Sequence, residues 1–376
     1  MKLRIGLYYI FFFLITLFKA FEFGSSSHLY LAIFAFGCTA VLIKVCSESY
    51  TLKQLIAMVI VVAIGLLNWL IGGFSPALTT AVALCGLKDM DINKLIKMSF
   101  WIRLFAFITM ILFSVMGIID DEVVDFYRNG EIIQRYTFGY GHPNTAHMMF
   151  AVIVLLSLYL YGQRMNIFHF GLIVLCNQIL FTFTGSRTGT LILWIAIICH
   201  GALHFNWTKK VFLFASKYIY IVLFCMTLVL GYGYGKSAII NALDLLLTGR
   251  LYYINLILTE EVPVLFGHAD FETIIVDNGY MELLFNGGIL VFIWFSYYIV
   301  KISNKLAREC RYRELLLIVC FIIFNMAESS FEVISVNVSL LFISEILFGK
   351  KVRGNFDGNN AIYTDIQPGM GTQRIV

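Results

Sequence analysis

The chain is a succession of apolar runs of bilayer length, joined by short polar connections. Taking roughly 20 residues as a full span, about twelve such runs can be drawn. They cover 5–22, 28–45, 54–72, 75–87, 98–118, 145–162, 166–184, 189–205, 212–233, 284–302, 314–328 and 333–348. Inside a bilayer no water is present to bond a backbone amide, so such a run must close its own hydrogen bonds, and helix is the form that does so. The expected fold class is therefore all-α, a polytopic integral membrane protein. One transmembrane domain, 1–348, is followed by a polar tail over 349–376 that reads as disordered. Only 13% of the 376 residues are charged, about half the share usual in a soluble domain. Two runs are ambiguous. Segment 75–87 is short for a span and reads as tilted or re-entrant. Segment 238–258 carries Asp244 and Arg250 near its middle and reads as a helix at the membrane surface.

The basic residues orient these runs. Met1-Lys2-Leu3-Arg4 followed by Ile5–Phe18 has the form of a signal peptide. Lys19-Ala20-Phe21-Glu22 is a poor cleavage site, so this reads as a retained first helix. With the N-terminus inside, the cytoplasmic connections hold Lys44, Lys53, Lys88, Lys94, Lys97, Arg164, Lys209 and Lys210. Further along they hold Lys301, Lys305, Arg308, Arg311 and Arg313, then Lys350, Lys351 and Arg353. The other face keeps only Lys19, Arg128, Arg135, Arg187, Lys236 and Arg250. This asymmetry is the positive-inside pattern. Arg103 and Lys217 fall at inner span ends, where they are placed to snorkel to water. Both termini are then cytoplasmic, and three connections face outward: 120–144, 184–189 and a large one at 234–285. The eight cysteines lie in apolar runs or cytoplasmic segments without metal-site spacing, so neither disulfides nor zinc are expected. A net charge of +4, dispersed along the chain, gives nucleic-acid binding no support.

Polar chemistry concentrates in the outward connections. Gly185-Ser186-Arg187-Thr188-Gly189 is a hinge between two apolar runs. A guanidinium at membrane depth costs about 2.5–3.5 kcal/mol on insertion scales, so an Arg at such a hinge points to an anionic neighbour. The first connection ends in Arg135-Tyr136-Thr137-Phe138-Gly139-Tyr140-Gly141-His142-Pro143-Asn144, with Pro143 placed to start a helix. The third holds Thr248-Gly249-Arg250, Gly267-His268 and Asp277-Asn278-Gly279-Tyr280, and leads on to Gly287-Gly288. Each has a plainer reading. His142, Asp277 and Asn278 are natural helix caps; Gly287-Gly288 suits helix packing; Tyr and Phe at span ends are interface anchors. Asp89-Met90-Asp91 sits among lysines, where capping and charge pairing outweigh nucleotide-sugar chemistry. Asp120-Asp121-Glu122 reads as a solvated helix end rather than a cation site.

Taken in order, Phe138-Gly-Tyr-Gly-His-Pro-Asn144, Thr184-Gly-Ser-Arg-Thr-Gly189, Leu247-Thr-Gly-Arg250 and Asp277-Asn-Gly-Tyr280 resemble motifs of the bacterial O-antigen polymerase and ligase superfamily. The pattern is most similar to its Wzy-type capsule and exopolysaccharide repeat-unit polymerases. The resemblance covers 135–295; the first hundred residues match only as generic spans. It implies an inverting, metal-independent membrane glycosyltransferase without cofactor, in the bacterial cytoplasmic membrane. Its substrate would be an undecaprenyl-diphosphate-linked oligosaccharide, with the flippase and chain-length regulator of the same pathway as partners. The growing glycan would pass to the next lipid-linked repeat unit at the outer leaflet.

Residue chemistry fits that implication. Arg187 and Arg250 would clamp the diphosphate leaving group through paired hydrogen bonds. Arg135, Asn144, Ser186, His268, Asn278 and Tyr280 would line the substrate site. Asp277 and His142 are the candidate bases for the acceptor hydroxyl. In the ligase branch a His stands where Asp277 stands here, which leaves the base open and makes His268 an alternative. Three competing readings stand beside this one. A flippase or transporter of the same glycan would show internal repeats, which the sequence lacks. An O-antigen ligase-like transferase shares the motifs. A polyprenyl-monophosphate sugar transferase would need an acidic motif in the first outward loop, which offers only Glu22.

Overall fold

The computed structural model describes residues 2–23, 28–128, 131–268 and 277–349; the expected tail lies outside these apart from Gly349. Helices dominate. In chain order they are α1 (Lys2–Ala20), α2 (His28–Cys46), α3 (Leu52–Gly72), α4 (Ser75–Cys85), α5 (Ile92–Val115), α6 (Pro143–Tyr161), α7 (Ile167–Thr184) and α8 (Arg187–Ala202). Then follow α9 (Asn206–Gly233), α10 (Ala238–Leu246), α11 (Arg250–Glu260), α12 (Gly279–Phe285), α13 (Gly288–Arg308), α14 (Tyr312–Phe324) and α15 (Ser344–Phe348). Local signals set the ends. Thr51 and Gln54 form a reciprocal capping box at the start of α3, and Gly73 ends it at φ +70°. Asn166 and His169 start α7, and Gly185 ends it at φ +60°. Pro143 occupies the first turn of α6.

Among the described residues, seven helices are long and apolar enough to cross a membrane: α2, α3, α5, α6 with its following turn, α7, α9 and α13. Their outer faces are what lipid requires. Along α7, Ile167, Phe168, Leu172, Leu175 and Ile179 all stand exposed, an apolar stripe too long for a water-facing surface. This is a multi-pass membrane protein with α6 near its centre, the most enclosed of the seven. α6 packs against α5, α7, α8 and α14.

Of the remaining apolar runs, 5–22 forms the 19-residue α1, 75–87 is short as expected, and others depart from full spans. α4 has 11 residues and α8 has 16. The runs at 314–328 and 333–348 form two half-length pieces instead: α14, with 13 residues, and a 3-10 turn at Val338–Ile343 continued by α15. At 1.5 Å per residue neither piece reaches across a ~30 Å hydrocarbon core. The irregular connection between them, 325–337, is largely buried. Non-helical backbone is tolerated at such a place because protein, not lipid, surrounds it. Asn337 donates to the Phe331 carbonyl at 2.8 Å, and Thr80 of α4 donates to the Glu332 carbonyl at 2.6 Å.

Two further departures matter. The 120–144 connection is not plain loop. It holds an antiparallel hairpin, β1 (Val123–Arg128) with β2 (Glu131–Tyr136), whose register pairs Val123 with Tyr136. The enrichment of Val, Phe, Ile and Tyr there is a strand signal overlooked among the surrounding helical runs. Arg103 also does not snorkel. It is fully buried on α5, its Nε 3.3 Å from Ser99 Oγ and its Nη1 3.3 Å from Met149 Sδ of α6. The ambiguous run 238–258 divides at Gly249 (φ +84°) into α10 and α11, each too short to cross. α11 buries Leu251, Ile254 and Ile257 against α9, while α10 leaves Ile239, Leu245 and Leu246 exposed.

Candidate functional site

One end of the bundle gathers the connections that carry the motifs. Asp121 organises the first. Its Oδ1 accepts from the Thr137 amide and hydroxyl and from the Phe138 amide at 2.7–3.1 Å. That grip holds a tight turn in which Phe138 (φ +53°) and Gly139 (φ +76°) take left-handed backbone. Asp121 is thus a brace for the turn, not a solvated end. The turn sends Tyr140 inward, stacked on Phe107 of α5 with ring centroids 6.3 Å apart. It leaves His142 facing outward as the N-cap of α6, accepting the Asn144 amide at Nδ1 over 3.1 Å. Glu22, just past α1, accepts the Gly141 amide at 2.8 Å and ties the turn to the first helix.

Arg250 is the hub. It opens α11, and its side chain is only 11% exposed. Its Nη1 donates to Thr188 Oγ1 of the hinge at 3.0 Å. Its Nη2 lies 3.4 Å from Asp277 Oδ2 and 3.5 Å from Glu328 Oε1. One guanidinium thus joins the hinge, the third connection and the segment beyond α14. His142 lies within electrostatic reach of the same cluster, since Arg135, Asp277, Glu22 and Arg250 all act on its ionisation. Although its surface is open to the cleft, desolvation by the surrounding protein, aided by Arg135, holds its pKa below the ordinary value. The ring is neutral at pH 7. With Nδ1 accepting the cap bond, its proton sits on Nε2, so His142 in this tautomer is a donor to the cleft and not a base.

Glu328 is the residue that sequence reading missed. Its side chain is 13% exposed. Burial pushes its carboxyl up from 4.5 to about 7; nearby Arg250 opposes this and Asp277 adds to it. A carboxylate poised near neutrality is suited to accept a proton. The only sequence signal was a glutamate at the end of an apolar run, Met326-Ala327-Glu328, which a span reading passes over as a terminus.

The other anticipated residues separate into two groups. Arg187 stays close to the cluster without joining it. It is half-buried, and its Nη1 donates to the Leu246 carbonyl of α10 at 3.3 Å, with no carboxylate bound to it among the described residues. Ser186 is beside it, buried, its hydroxyl without a hydrogen-bond partner among the described residues. The rest hold the frame. Arg135 is buried, with Nε donating to the Thr184 carbonyl and Nη2 to Asn144 Oδ1, both at 2.6 Å, and it crosses the Phe126 ring. It braces β2 against the ends of α6 and α7, and Asn144 is its acceptor. Asn278 caps α12, accepting the Tyr280 and Met281 amides while donating to the Met326 carbonyl at 2.9 Å. Tyr280 is fully buried, with its hydroxyl on the Ile322 carbonyl and its ring against Tyr220 and Phe224. Arg135, Asn144, Asn278 and Tyr280 thus all carry bonds within the frame. His268 bonds the Val262 carbonyl at 2.8 Å within its own connection.

Asp91 caps α5 through the Lys94 amide, in line with the plainer reading of Asp89-Met90-Asp91. No protein-family model, curated protein or solved structure matches this chain.

Proposed function

We propose that this chain polymerises polyprenyl-diphosphate-linked oligosaccharide repeat units at the outer face of the bacterial cytoplasmic membrane. The reading includes the topology drawn from Lys and Arg, with cytoplasmic termini and the Arg250 cleft outward. One observation carries it: Arg250 touches Thr188, Asp277 and Glu328, so the motifs at 184–189, 247–250 and 277–280 meet at a single point. A cation flanked by two carboxylates, with the Arg187 guanidinium nearby, suits glycosyl transfer from a diphosphate.

In this reaction an acceptor hydroxyl attacks the anomeric carbon of the donor. The new glycosidic bond forms as the bond to the diphosphate oxygen breaks, with inversion. The hydroxyl proton passes to Glu328 or Asp277. Negative charge grows on the leaving diphosphate. Arg187, which pairs with no carboxylate among the described residues, and the Nη1 side of Arg250 stabilise it in a partly dry site, where such interactions are worth more than in water. Arg250 also holds both carboxylates in place for the proton.

Deletion of the gene tests the proposal through the lipid-linked glycan that accumulates. Single repeat units exposed outside support the polymerase; polymer of normal length excludes it. A second reading, flippase or transporter, draws on the half-length pieces around 325–337, since broken helices at membrane depth are a transporter device. Repeat units trapped inside would select that reading.

A further inference from the structure

A groove of about 990 Å³ runs between α9 and α13, within the usual size of a ligand site. It opens on the outside of the bundle, where Ile221, Ile293 and Tyr297 line it and stand exposed. Two contacts join the helices along it. Phe224 and Phe292 bring their ring centroids to 4.7 Å, and the Tyr220 and Ser296 hydroxyls share a hydrogen bond of 2.9 Å. Toward the Lys-rich end of α13 the lining passes to Val300, Lys301, Asn304, Lys305 and Arg308, and α15 reaches it with Ile346 alone. The α13 positions recur every three or four residues, so they form one face of that helix.

That face changes character along its length. From Phe292 to Lys301, at 1.5 Å per residue, it measures about 14 Å, close to half of a ~30 Å hydrocarbon core. The first cation therefore stands at headgroup level, where Lys301 Nζ donates to Tyr297 Oη at 2.6 Å. The charges beyond it favour an anion. Lys305 is held by Glu345 at 2.7 Å. Arg311 also binds Glu345, and it lies 3.4 Å from Glu309 of the lining and 3.0 Å from Glu314. Lys301 and Arg308 are exposed and form no ion pair among the described residues. With the paired groups included, four cations stand against three carboxylates, and the two unpaired ones are those at the surface of the groove.

We propose that this groove binds an anionic glycerophospholipid of the leaflet bordering the Lys-rich end, with its phosphate on Lys301 and Arg308 and an acyl chain along Ile221, Phe292 and Ile293. A soluble anion would leave the apolar part unfilled, and a neutral lipid would leave the two cations unanswered. The seated chain also backs Tyr220 and Phe224, whose rings pack on Tyr280 of α12 with centroids at 5.3 and 6.0 Å. The cations lie at the end of α13 away from α12 and the Arg250 cleft, and the proposal holds whatever reaction that cleft performs.

The test titrates the full chain in detergent with dioleoyl phosphatidylglycerol or dioleoyl phosphatidylcholine and counts bound lipid by native mass spectrometry. Wild type is expected to bind phosphatidylglycerol the more tightly and to melt at a higher temperature with it. Lys301→Gln and Arg308→Gln each weaken that binding about fivefold, and together roughly thirtyfold, while phosphatidylcholine binding is unchanged. Neither substitution breaks an ion pair among the described residues, so the melting temperature without lipid stays at the wild-type value, and phosphatidylglycerol no longer raises it. Val300→Trp fills the groove and weakens the binding of both lipids. A control, Lys53→Gln with Arg164→Gln, removes the same charge from exposed positions elsewhere and leaves the preference intact. An equal loss in that control, or a wild-type preference in the Lys301→Gln, Arg308→Gln double variant, overturns the proposal. Displacement of bound phosphatidylglycerol by glycerol phosphate overturns it too, since the chains would then contribute nothing, as does displacement by equimolar undecaprenyl phosphate, which would make that lipid the occupant.

Discussion

Glu328→Gln is the perturbation that most directly probes the cleft. It keeps shape and volume and removes only the ability to ionise. In the folded protein the Glu328 carboxyl titrates at about 7 against an ordinary value of 4.5. Between those values the folded state holds a proton that the unfolded chain has released. The stability this contributes is fully present below pH 4.5 and is lost as pH rises to about 7. At roughly 1.4 kcal/mol per pH unit, the loss is on the order of 3 kcal/mol, a usable scale because the side chain is well enclosed. Gln cannot titrate. The variant should therefore show a flatter melting temperature between pH 5 and 8 and be more stable than wild type at pH 8, since Arg250 keeps Asp277 at 3.4 Å. Activity should move the other way. Removing a general base costs about 10²–10⁴ in turnover, and wild-type activity should itself fall as pH drops below 7 and the base becomes protonated. The assays are thermal unfolding in detergent across pH 5–9 and gel analysis of polymer made from lipid-linked repeat units. An unchanged melting slope together with wild-type chain lengths would refute the reasoning, because burial beside Arg250 would then have shifted nothing.

Other substitutions separate chemistry from scaffolding. Arg187→Ala should shorten or abolish polymer yet leave the melting temperature within the usual surface range of about ±0.5 kcal/mol, whereas Arg250→Ala should lower both because it strands Glu328 beside Asp277. Arg135→Ala should cost roughly 3 kcal/mol through loss of charged hydrogen bonds to Thr184 and Asn144, and Arg135→Lys should recover little, since a single ammonium does not span both acceptors; differential scanning fluorimetry reads this. Gly279→Ala places a Cβ 1.6 Å from Asn325 Oδ1. It should destabilise by on the order of 1–3 kcal/mol, and adding Asn325→Ala should return part of that loss in the same melting assay.

Much of the molecule was legible in the order of residues alone. Apolar runs of bilayer length force helix, because lipid leaves the backbone no other partner, and α2, α3, α5, α6, α7, α9 and α13 follow. Pro143, Asn166 and Gly185 mark helix ends through local backbone chemistry that needs no distant contact. Arg250 and Asp277 stood out in the motifs of the third connection, and the fold places them in contact. Whether an apolar run crosses the bilayer was not readable, because hydropathy does not distinguish lipid from protein as the neighbour. The runs at 314–328 and 333–348 became two half-length pieces around a buried connection for that reason. Nor did the sequence show that Arg250 and Glu328, far apart in the chain, would meet. Glu328 read as the end of a span, and only the turn beyond α14 brought it to Arg250. Arg103 read as a snorkelling side chain, and only the packing of α5 against α6 enclosed it. Local chemistry determines the helices and their caps; which polar side chains lose their water, and beside which partners, is decided when the helices pack.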